Sequence, residues 1–272
     1  EILKEIEEKS KKLALGLNVK GLLNIQFAIK DEELFILEAN PRASRTMPFV
    51  AKVTGNQIIK AGTLLMLGYS IDEVRNKTKY LSSSSNKVAI KKAIFPWSRF
   101  PAEDTMLGPE MKATGEVLGV GKEFGTALNK AYAAAGVEIN NKEKGIFVTL
   151  SDSEKPNFIK TVNKYLELGF TLYSTEGTGK FLKTNGIDSV IVGKADDLGQ
   201  TSLTIIEDKL VSLVINTPTY ANELSDGWKI RRLSHETGVA VVSSVREADA
   251  FIEAFLNQNL VLDDLEVIQD VS

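Results

Sequence analysis

Five polar side chains near the amino-terminal end could together handle a phosphorylated substrate. Gln26 lies in one predicted strand, and Glu38 and Asn40 lie in the next. Side chains two residues apart share a face of a strand, and in a hairpin Gln26 comes opposite or near Glu38. Three oxygen ligands suit Mg²⁺, and the guanidinium groups of Arg42 and Arg45 match phosphate and carboxylate oxygens. Metal plus arginines is what phosphoryl transfer requires, although a hairpin with a solvated polar face fits this short spacing equally well.

A second set of polar side chains follows the predicted strands of the carboxyl-terminal part. In a parallel sheet such positions converge on one crevice. The turn at residues 175–179 leads into a helix, whose free N–H groups and dipole favour an anion, and Asn216 with Thr217 could meet a sugar or base. Taken singly, each threonine fits a helix cap and each lysine a solvated surface at least as well, but their joint occurrence favours a phosphate pocket. The members of this set are Lys155, Thr175, Thr178, Lys194 and Asn216.

The elements that must position the first set are few and locally connected. Apolar spacing predicts a helix over residues 1–17, and the segment around Asp31 predicts a turn between two antiparallel strands. Residues 82–86 are expected to form a loop tip, and residues 101–121, rich in glycine, an irregular segment. The other predicted elements here are strands Leu22–Ile29, Leu34–Glu38 and Val88–Phe95 and a helix Asn56–Leu67.

After about residue 122 strands and helices alternate, which predicts a parallel sheet wrapped by helices. We therefore expect two domains, residues 1–121 and residues 122–272, the first with a mixed or antiparallel sheet and the second Rossmann-like, in an α/β chain. The predicted strands are Gly145–Leu150, Phe170–Ser174, Ser189–Val192, Val211–Asn216 and Val239–Ser243. The predicted helices are Lys122–Ala135, Lys155–Leu168, Gly177–Thr184, Thr201–Asp208, Gly227–Glu236 and Val245–Leu256.

Composition excludes several classes of function. The chain has 272 residues, 43% hydrophobic and 25% charged, which is ordinary for one or two globular domains. A net charge of −3 gives no broad attraction for nucleic acid or anionic membranes. The absence of cysteine excludes disulfides and thiolate metal sites, and a single histidine argues against His clusters and Ser-His-Asp triads. No apolar run approaches the roughly 20 residues that span a bilayer.

Two sequence blocks resemble a known family. Residues 24–28 read Asn-Ile-Gln-Phe-Ala, and residues 37–50 read Leu-Glu-Ala-Asn-Pro-Arg-Ala-Ser-Arg-Thr-Met-Pro-Phe-Val. They resemble the metal-binding end of an ATP-grasp domain, and the longer run is similar to the carbamoyl-phosphate synthetase large subunit. Residues 107–117, Leu-Gly-Pro-Glu-Met-Lys-Ala-Thr-Gly-Glu-Val, are a second block similar to that family. The resemblance covers nearly the whole chain and points to the second synthetase half.

This resemblance implies roles for the first set. Gln26, Glu38 and Asn40 would hold Mg²⁺ or Mn²⁺ around ATP, and Arg42 and Arg45 would contact phosphate and carbamate oxygens. The family's second half uses ATP to phosphorylate carbamate. Its partners would be the rest of the large subunit and a glutaminase small subunit, in the cytoplasm. The glycine-rich phosphate loop and adenine pocket of the opposite ATP-grasp subdomain are missing from this sequence, so we expect that this chain alone does not turn over ATP.

The carboxyl-terminal part resembles the methylglyoxal-synthase-like domain that ends the synthetase. There, matching lysines, threonines and an asparagine bind an allosteric nucleotide with its phosphate against the threonine turn. The resemblance gives this role to the second set, and Thr149 and Thr217 join it. Catalysis of the methylglyoxal synthase type is not expected, because that enzyme uses an aspartate and a histidine. The one histidine here, His235, is predicted on a helix surface.

The effector is predicted from three further positions. Ornithine-responsive relatives carry a glutamate where Lys92 stands, and a tyrosine and a threonine where Val241 and Ser243 stand. A lysine would repel the ammonium group of ornithine, so we expect nucleotide control, with UMP inhibition as the leading case, and no ornithine activation. Arg231 and Arg232 could serve the same pocket or an anion like phosphoribosyl diphosphate, or they could lie on a solvated helix.

Three functions are compatible with this sequence. The chain could be part of a glutamine-dependent carbamoyl-phosphate synthetase of arginine or pyrimidine synthesis, a nucleotide-binding regulatory module, or part of a different ATP-grasp ligase. The block at residues 107–117 and the attached regulatory domain argue against the third. We expect only the second domain to be complete in this sequence, and therefore expect nucleotide sensing to be the function that the chain retains.

Overall fold

The chain divides into two compact units between Asn86 and Lys87. We call residues 1–86 the first unit and residues 87–264 the second unit. Helices and strands alternate over most of the chain, which confirms the predicted α/β class. None of the described helices is both long and apolar enough to cross a bilayer. The computed structural model describes residues 1–78, 87–100, 104–106, 111, 113–137, 139, 145–218 and 225–257.

The first unit is an antiparallel hairpin accompanied by helices. Its strands pair as predicted, with Gln26 opposite Glu38, and a bulge follows Gln26. Asp31 and Glu32 both adopt positive φ angles, 50° and 64°, which is the conformation whose twist suits a two-residue hairpin turn. The elements are α1 (Ile2–Gly16), β1 (Asn24–Lys30), β2 (Glu33–Asn40), α2 (Thr46–Thr54), α3 (Ile58–Met66) and α4 (Ile71–Lys77).

Two helices of the first unit escaped prediction for different reasons. Helix α2 contains Pro48 in its first turn and several β-branched residues, so its intrinsic helix propensity is low, although proline is tolerated near a helix start. Helix α4, by contrast, begins with a recognisable sequence signal. Ser70 and Glu73 form a capping box, in which each side chain bonds the other's backbone N–H. The predicted loop tip at residues 82–86 lies outside the described residues.

The first unit buries little apolar surface of its own. Among its described residues only Leu34, Gly62 and Val74 are buried. Leu3 and Leu37 are 82% and 63% exposed. A two-stranded sheet with so small a core is marginal, so these apolar side chains are available for contact with further protein.

The second unit contains the parallel sheet predicted from the alternating pattern. Its strand order is β7-β6-β5-β8-β9, and all four strand pairs are parallel. The strands are β3 (Val88–Ile94), β4 (Gly115–Gly121), β5 (Gly145–Thr149), β6 (Thr171–Thr175), β7 (Val190–Val192), β8 (Val211–Asn216) and β9 (Ala240–Val242). The helices are α5 (Phe124–Ala134), α6 (Lys155–Glu167), α7 (Glu176–Thr184), α8 (Thr204–Glu207), α9 (Asp226–Thr237) and α10 (Val245–Leu256), with a 3₁₀ turn at Trp97–Arg99.

Helices cover both faces of this sheet, and a separate apolar cluster lies on each. Alternate residues of β5 point to opposite faces, so Ile146 and Val148 join one cluster while Phe147 joins the other. All six residues of β8 are buried. Continuous burial of this kind is typical of a central strand in a doubly covered parallel sheet.

The expectation of an irregular segment over residues 101–121 is wrong for its last part. Gly115–Gly121 forms β4, which pairs antiparallel with β3 along its whole length. A glycine-rich run reads as loop, but these glycines have a packing reason. A side chain on Gly119 would overlap the carbonyl oxygen of Ala127 in α5, so only glycine lets the helix lie this close.

The β3–β4 hairpin therefore packs with the second unit. The boundary between the two compact units lies after residue 86, earlier than the predicted domain boundary between residues 121 and 122. The predicted domain boundary itself stays a prediction. Helix α5 turns buried residues such as Ala127 and Ala131 towards β4, and removal of the hairpin would expose them.

Two truncations test this packing. A chain of residues 87–272 should unfold cooperatively, whereas a chain of residues 122–272 should melt roughly 10 °C lower, because two or three buried side chains lose their cover. Thermal unfolding followed by circular dichroism measures both. Equal melting temperatures would show that the hairpin adds nothing to the second unit.

Candidate functional site

The hairpin of the first unit brings the predicted metal ligands together. Gln26 and Glu38 are directly opposite across the strands. The side chain of Asn40 donates from Nδ2 to Glu38 Oε1 at 2.8 Å. Gln26 and Glu38 are exposed and Asn40 is half-buried. These three oxygen-bearing side chains therefore share one accessible face, as the strand spacing predicts.

The donor set fits Mg²⁺ or Mn²⁺ only in company with phosphate. It supplies one carboxylate and two amide oxygens, and nowhere in the described part of the chain do three His, Cys, Asp or Glu side chains cluster. One negative charge is little for a divalent cation, so the oxygens of a bound nucleotide would have to complete the shell. Asn40 would turn its amide so that Oδ1 faces the metal.

The two predicted arginines follow β2 on the turn into α2. The backbone N–H of Arg42 donates to Asn40 O at 2.8 Å, and its Nη1 donates to Ala43 O at 3.1 Å. Arg42 and Arg45 are both exposed. Their guanidinium groups are next to the metal-ligand face along the chain and remain accessible to phosphate oxygens.

The second unit contains a crevice of about 750 Å³ at the carboxyl ends of its strands. We call it the strand-end crevice. Thr149, Thr175 and Lys194 line it, as predicted. Thr178, Asn216 and Thr217 are not among its lining residues and are buried, with 2%, 4% and 6% exposure.

Lys155 is the predicted member that lies apart. It begins α6, is not among the residues that line the strand-end crevice, and binds Asp152 with Nζ 2.5 Å from Oδ1. This ion pair holds the pKa of the Asp152 carboxyl below its usual range. Lys155 would have to leave Asp152 before it could bind a phosphate in the crevice.

The threonine turn after β6 is built into the fold by its own hydroxyl groups. The backbone N–H of Leu150 donates to Thr178 Oγ1 at 3.1 Å, and Thr175 Oγ1 donates to the same atom at 3.3 Å. Since Thr178 Oγ1 already accepts twice, its own proton is the part available to a ligand. Helix α7 starts here, so its first backbone N–H groups face the end of the strand.

Thr217 ties the ends of β5 and β8 together. Its backbone N–H donates to Thr149 O at 3.1 Å, and its Oγ1 accepts from the N–H of Ser151 at 2.8 Å. Its position explains why it is buried although it follows a strand. Thr217 is therefore in part a structural residue.

Two arginines that could have been solvated are buried instead. Arg231 and Arg232 are 3% and 7% exposed. Arg231 forms an ion pair with Asp104, and Arg232 donates to Phe100 O at 2.7 Å and to Glu236 at 2.6 Å. The solvated-helix alternative is therefore wrong, because both guanidinium groups have partners from before β4 that no local pattern could indicate.

Ser202 is a crevice residue that the sequence did not reveal. It lines the strand-end crevice and is 1% exposed, and its Oγ has no hydrogen-bond partner among the described residues. A buried hydroxyl without a partner costs free energy, so a bound polar group would relieve it. The sequence around Ser202 forms no recognisable motif, so no pattern indicates this position.

A second, smaller pocket collects the three positions tied to the effector. Lys92, Val241 and Ser243 all line a pocket of about 400 Å³ within the second unit. The Lys92 ammonium lies 4.1 Å from the centre of the Tyr132 ring, a cation–π contact. Burial lowers the pKa of Lys92, and the nearby Glu247 carboxylate opposes that change.

His235 lies on helix α9, as predicted, and its half-buried side chain lines this pocket. Its ring lies 5.7 Å from that of Trp97, between centres. Burial, with the nearby charges of Lys92 and Arg232, lowers the pKa of His235 to about 4. The side chain is therefore neutral at physiological pH.

Two family models match this chain, one within each unit. The family model described as the ATP binding domain of the carbamoyl-phosphate synthase L chain matches residues 1–74, and the MGS-like domain model matches residues 157–243. The "Carbamoyl phosphate synthase large chain, C-terminal section" of Aquifex aeolicus is 38% identical over 268 residues, which covers 93% of this chain and 50% of that protein. The protein of the same name from Methanocaldococcus jannaschii is 38% identical over 262 residues, 93% of this chain and 42% of that protein.

This chain belongs to the carbamoyl phosphate synthase large-chain family. The "Carbamoyl phosphate synthase large chain" of Brucella suis is 40% identical over 262 residues, 93% of this chain but 22% of that protein. The chain thus spans half or less of the length of these curated relatives. Within the family, the hairpin with Gln26 and Glu38 falls in the ATP-binding match. The crevice residues Thr175, Lys194 and Asn216 fall in the MGS-like match.

The half-buried His235 predicts a pH dependence of stability. Above about pH 7.5 His235 is almost entirely neutral in both folded and unfolded chains, so its contribution is constant. As pH falls, His235 binds a proton in the unfolded chain but not in the folded chain. The free energy of unfolding should therefore decrease by about 2 kcal/mol by pH 5.

Urea unfolding at pH 7 and pH 5 measures this change, with His235→Gln as the control that cannot titrate. The variant should lose most of the decrease between the two pH values. A variant as pH-sensitive as the parent chain would show that His235 does not control this window.

Proposed function

We propose that the second unit is a regulatory module that binds a nucleoside monophosphate within a carbamoyl phosphate synthase large chain. The observation that carries the proposal is the strand-end crevice, where Thr149, Thr175 and Lys194 from three different strand ends face one cavity. Parallel α/β sheets bind ligands at this edge. The volume of about 750 Å³ accommodates a small organic ligand.

The phosphate would lie at the turn between β6 and α7. The free N–H groups at the start of α7 and the hydroxyl proton of Thr178 are donors there, and Lys194 supplies charge. Lys180 also lines the crevice but is paired with Glu176 at 2.6 Å. Lys194 makes no ion pair to a described residue, so its ammonium group is the cation best able to meet a phosphate.

The rest of the nucleotide would extend from this turn towards β8. Asn216 ends that strand, and the unpartnered hydroxyl of Ser202 lies in the crevice wall. Both offer hydrogen bonds to a sugar or base. Thr217 and Lys155 take smaller parts, since one ties two strands together and the other is held by Asp152.

We infer that the effector is UMP or a similar nucleotide and that ornithine does not activate. The smaller pocket presents the ammonium group of Lys92, which would repel a second ammonium group on a ligand. Glu247 is present but already faces Lys92 and accepts from Ser243 N at 3.0 Å. A cationic amino acid therefore finds no free carboxylate among the described lining residues.

Calorimetric titration with UMP tests the nucleotide proposal. Lys194→Met should weaken UMP binding about tenfold, because a charge-assisted hydrogen bond to the phosphate is lost. Lys160→Met, an exposed lysine on α6 away from the crevice, should leave the affinity unchanged. Uridine, which lacks the phosphate, should bind far more weakly than UMP. Equal binding of uridine and UMP would contradict the proposal.

A second function concerns the first unit, as one part of a larger site. We propose that in a whole large chain Gln26, Glu38 and Asn40 hold Mg²⁺ or Mn²⁺ with ATP, and that Arg42 and Arg45 contact the phosphate and carbamate oxygens. When bound, the metal would neutralise phosphate charge. The remainder of the large chain and a glutaminase small subunit would be the partners, in the cytoplasm. The shared accessible face of the hairpin supports this assignment.

The hairpin by itself should not catalyse phosphoryl transfer. Its one carboxylate and two amides are largely exposed, so solvent would compete for the metal and the phosphates would lack a surrounding site. With MgATP and bicarbonate or carbamate, release of ADP from this chain should match that from the Glu38→Ala variant in a coupled assay. Faster release from the parent chain would overturn this expectation.

A further inference from the structure

One buried guanidinium group connects the end of β8 to the segment before β4. Arg231 donates from Nη1 to Asn216 Oδ1 at 2.6 Å. Its Nε donates to Asp104 Oδ1 at 3.0 Å and its Nη2 to Asp104 Oδ2 at 2.5 Å. Arg231 is 3% exposed and Asn216 is 4% exposed, so solvent screens this series of bonds little.

The chemistry of arginine determines how the Asn216 amide must point. A guanidinium group has five donors and no acceptor, so the amide can present only its oxygen to Arg231. The amide nitrogen then faces the other way. Asn216 Nδ2 makes no hydrogen bond to any described residue, so its two protons remain available.

A glycine in the wall of the strand-end crevice lies beside this amide. Gly227 lines this crevice. A β-carbon on Gly227 would lie 3.1 Å from Arg231 Nη1, 3.5 Å from Asn216 Nδ2 and 3.6 Å from Asn216 Oδ1. Because the glycine has no side chain, a ligand in the crevice can approach the amide where a β-carbon would stand.

The position of Asn216 relative to the phosphate turn indicates which part of a nucleotide it meets. Thr175 ends β6 and Asn216 ends β8, and β5 lies between them. Two strand spacings separate these ends by roughly 10 Å. With the phosphate at the β6–α7 turn, the base is the part of a nucleoside monophosphate that reaches this far.

We propose that Arg231 is a positioning residue that holds Asn216 as a hydrogen-bond donor to the base of the bound nucleotide. The crevice then selects a base with a carbonyl oxygen at this point over one with an amino group. Asp104, through its two hydrogen bonds, keeps the guanidinium group in place. This inference rests on the proposed nucleotide binding and adds the rule by which the base is chosen.

UMP and CMP make a matched pair for the test, since they share phosphate and ribose and differ at the carbonyl or amino group of the base. In calorimetric titrations the parent chain should bind UMP roughly 10- to 100-fold more tightly than CMP. With CMP one hydrogen bond is lost, and the amino group of the base faces the amide N–H donors of Asn216. Arg231→Met should reduce this ratio to about threefold or less, because the amide becomes free to turn.

Two further variants separate positioning from folding. Arg232→Met removes the neighbouring buried arginine, which does not touch Asn216, and should keep the full UMP preference. Asn216→Asp still accepts from Arg231 but offers the crevice an acceptor, so it should favour CMP. This last variant keeps the test decisive if Arg231→Met fails to fold, as judged by circular dichroism.

The outcomes distinguish the inference from the function on which it rests. Tight binding of UMP and CMP within about threefold of each other would overturn the inference and leave nucleotide binding intact. A folded Arg231→Met chain with an unchanged preference would also overturn it, as would an Asn216→Asp chain that still prefers UMP. Failure of both nucleotides to bind at millimolar concentration would overturn the proposed function as well.

Discussion

The parallel pairing of β6, β5 and β8 is the constraint on which the second unit depends. Strand β5 pairs with both neighbours, and Thr149 is in register with Asn216. Every residue of β8 is buried, and a slip of one residue would turn each side chain to the opposite face of the sheet. This fixed register places the ends of the three strands side by side. Side chains that are far apart in sequence, such as Thr175 and Asn216, therefore come to one edge without any direct link.

The two units differ in how firmly they hold their candidate sites. In the first unit the metal-ligand face is a hairpin surface, with Gln26 and Glu38 exposed and little core beneath them. In the second unit, hydrogen bonds to the hydroxyl groups of Thr178 and Thr217 join the segments that follow the strands. A site that is held in place in advance loses less entropy on binding. This difference supports the proposal that the second unit binds a nucleotide by itself and that the hairpin acts only as one part of a larger site.

Much of this organisation was predictable from the sequence because it depends on local patterns. The pairing of Gln26 with Glu38 follows from strand spacing, and the convergence of Thr175 and Lys194 follows from strand and helix alternation. Strand β4 was missed because its glycines serve packing against α5, which only the folded chain shows. The surroundings of Arg231 and His235 are not predictable for a similar reason, since they come from segments before β4.

We propose that a nucleotide binds at the strand-end crevice with its phosphate at the start of α7. Heteronuclear NMR of the chain titrated with UMP tests it most directly. The largest amide shifts should occur at Gly177, Thr178 and Lys194, with smaller ones at Gly227. Shifts concentrated instead around Lys92 and the smaller pocket, or no shifts at saturating UMP, would contradict this account.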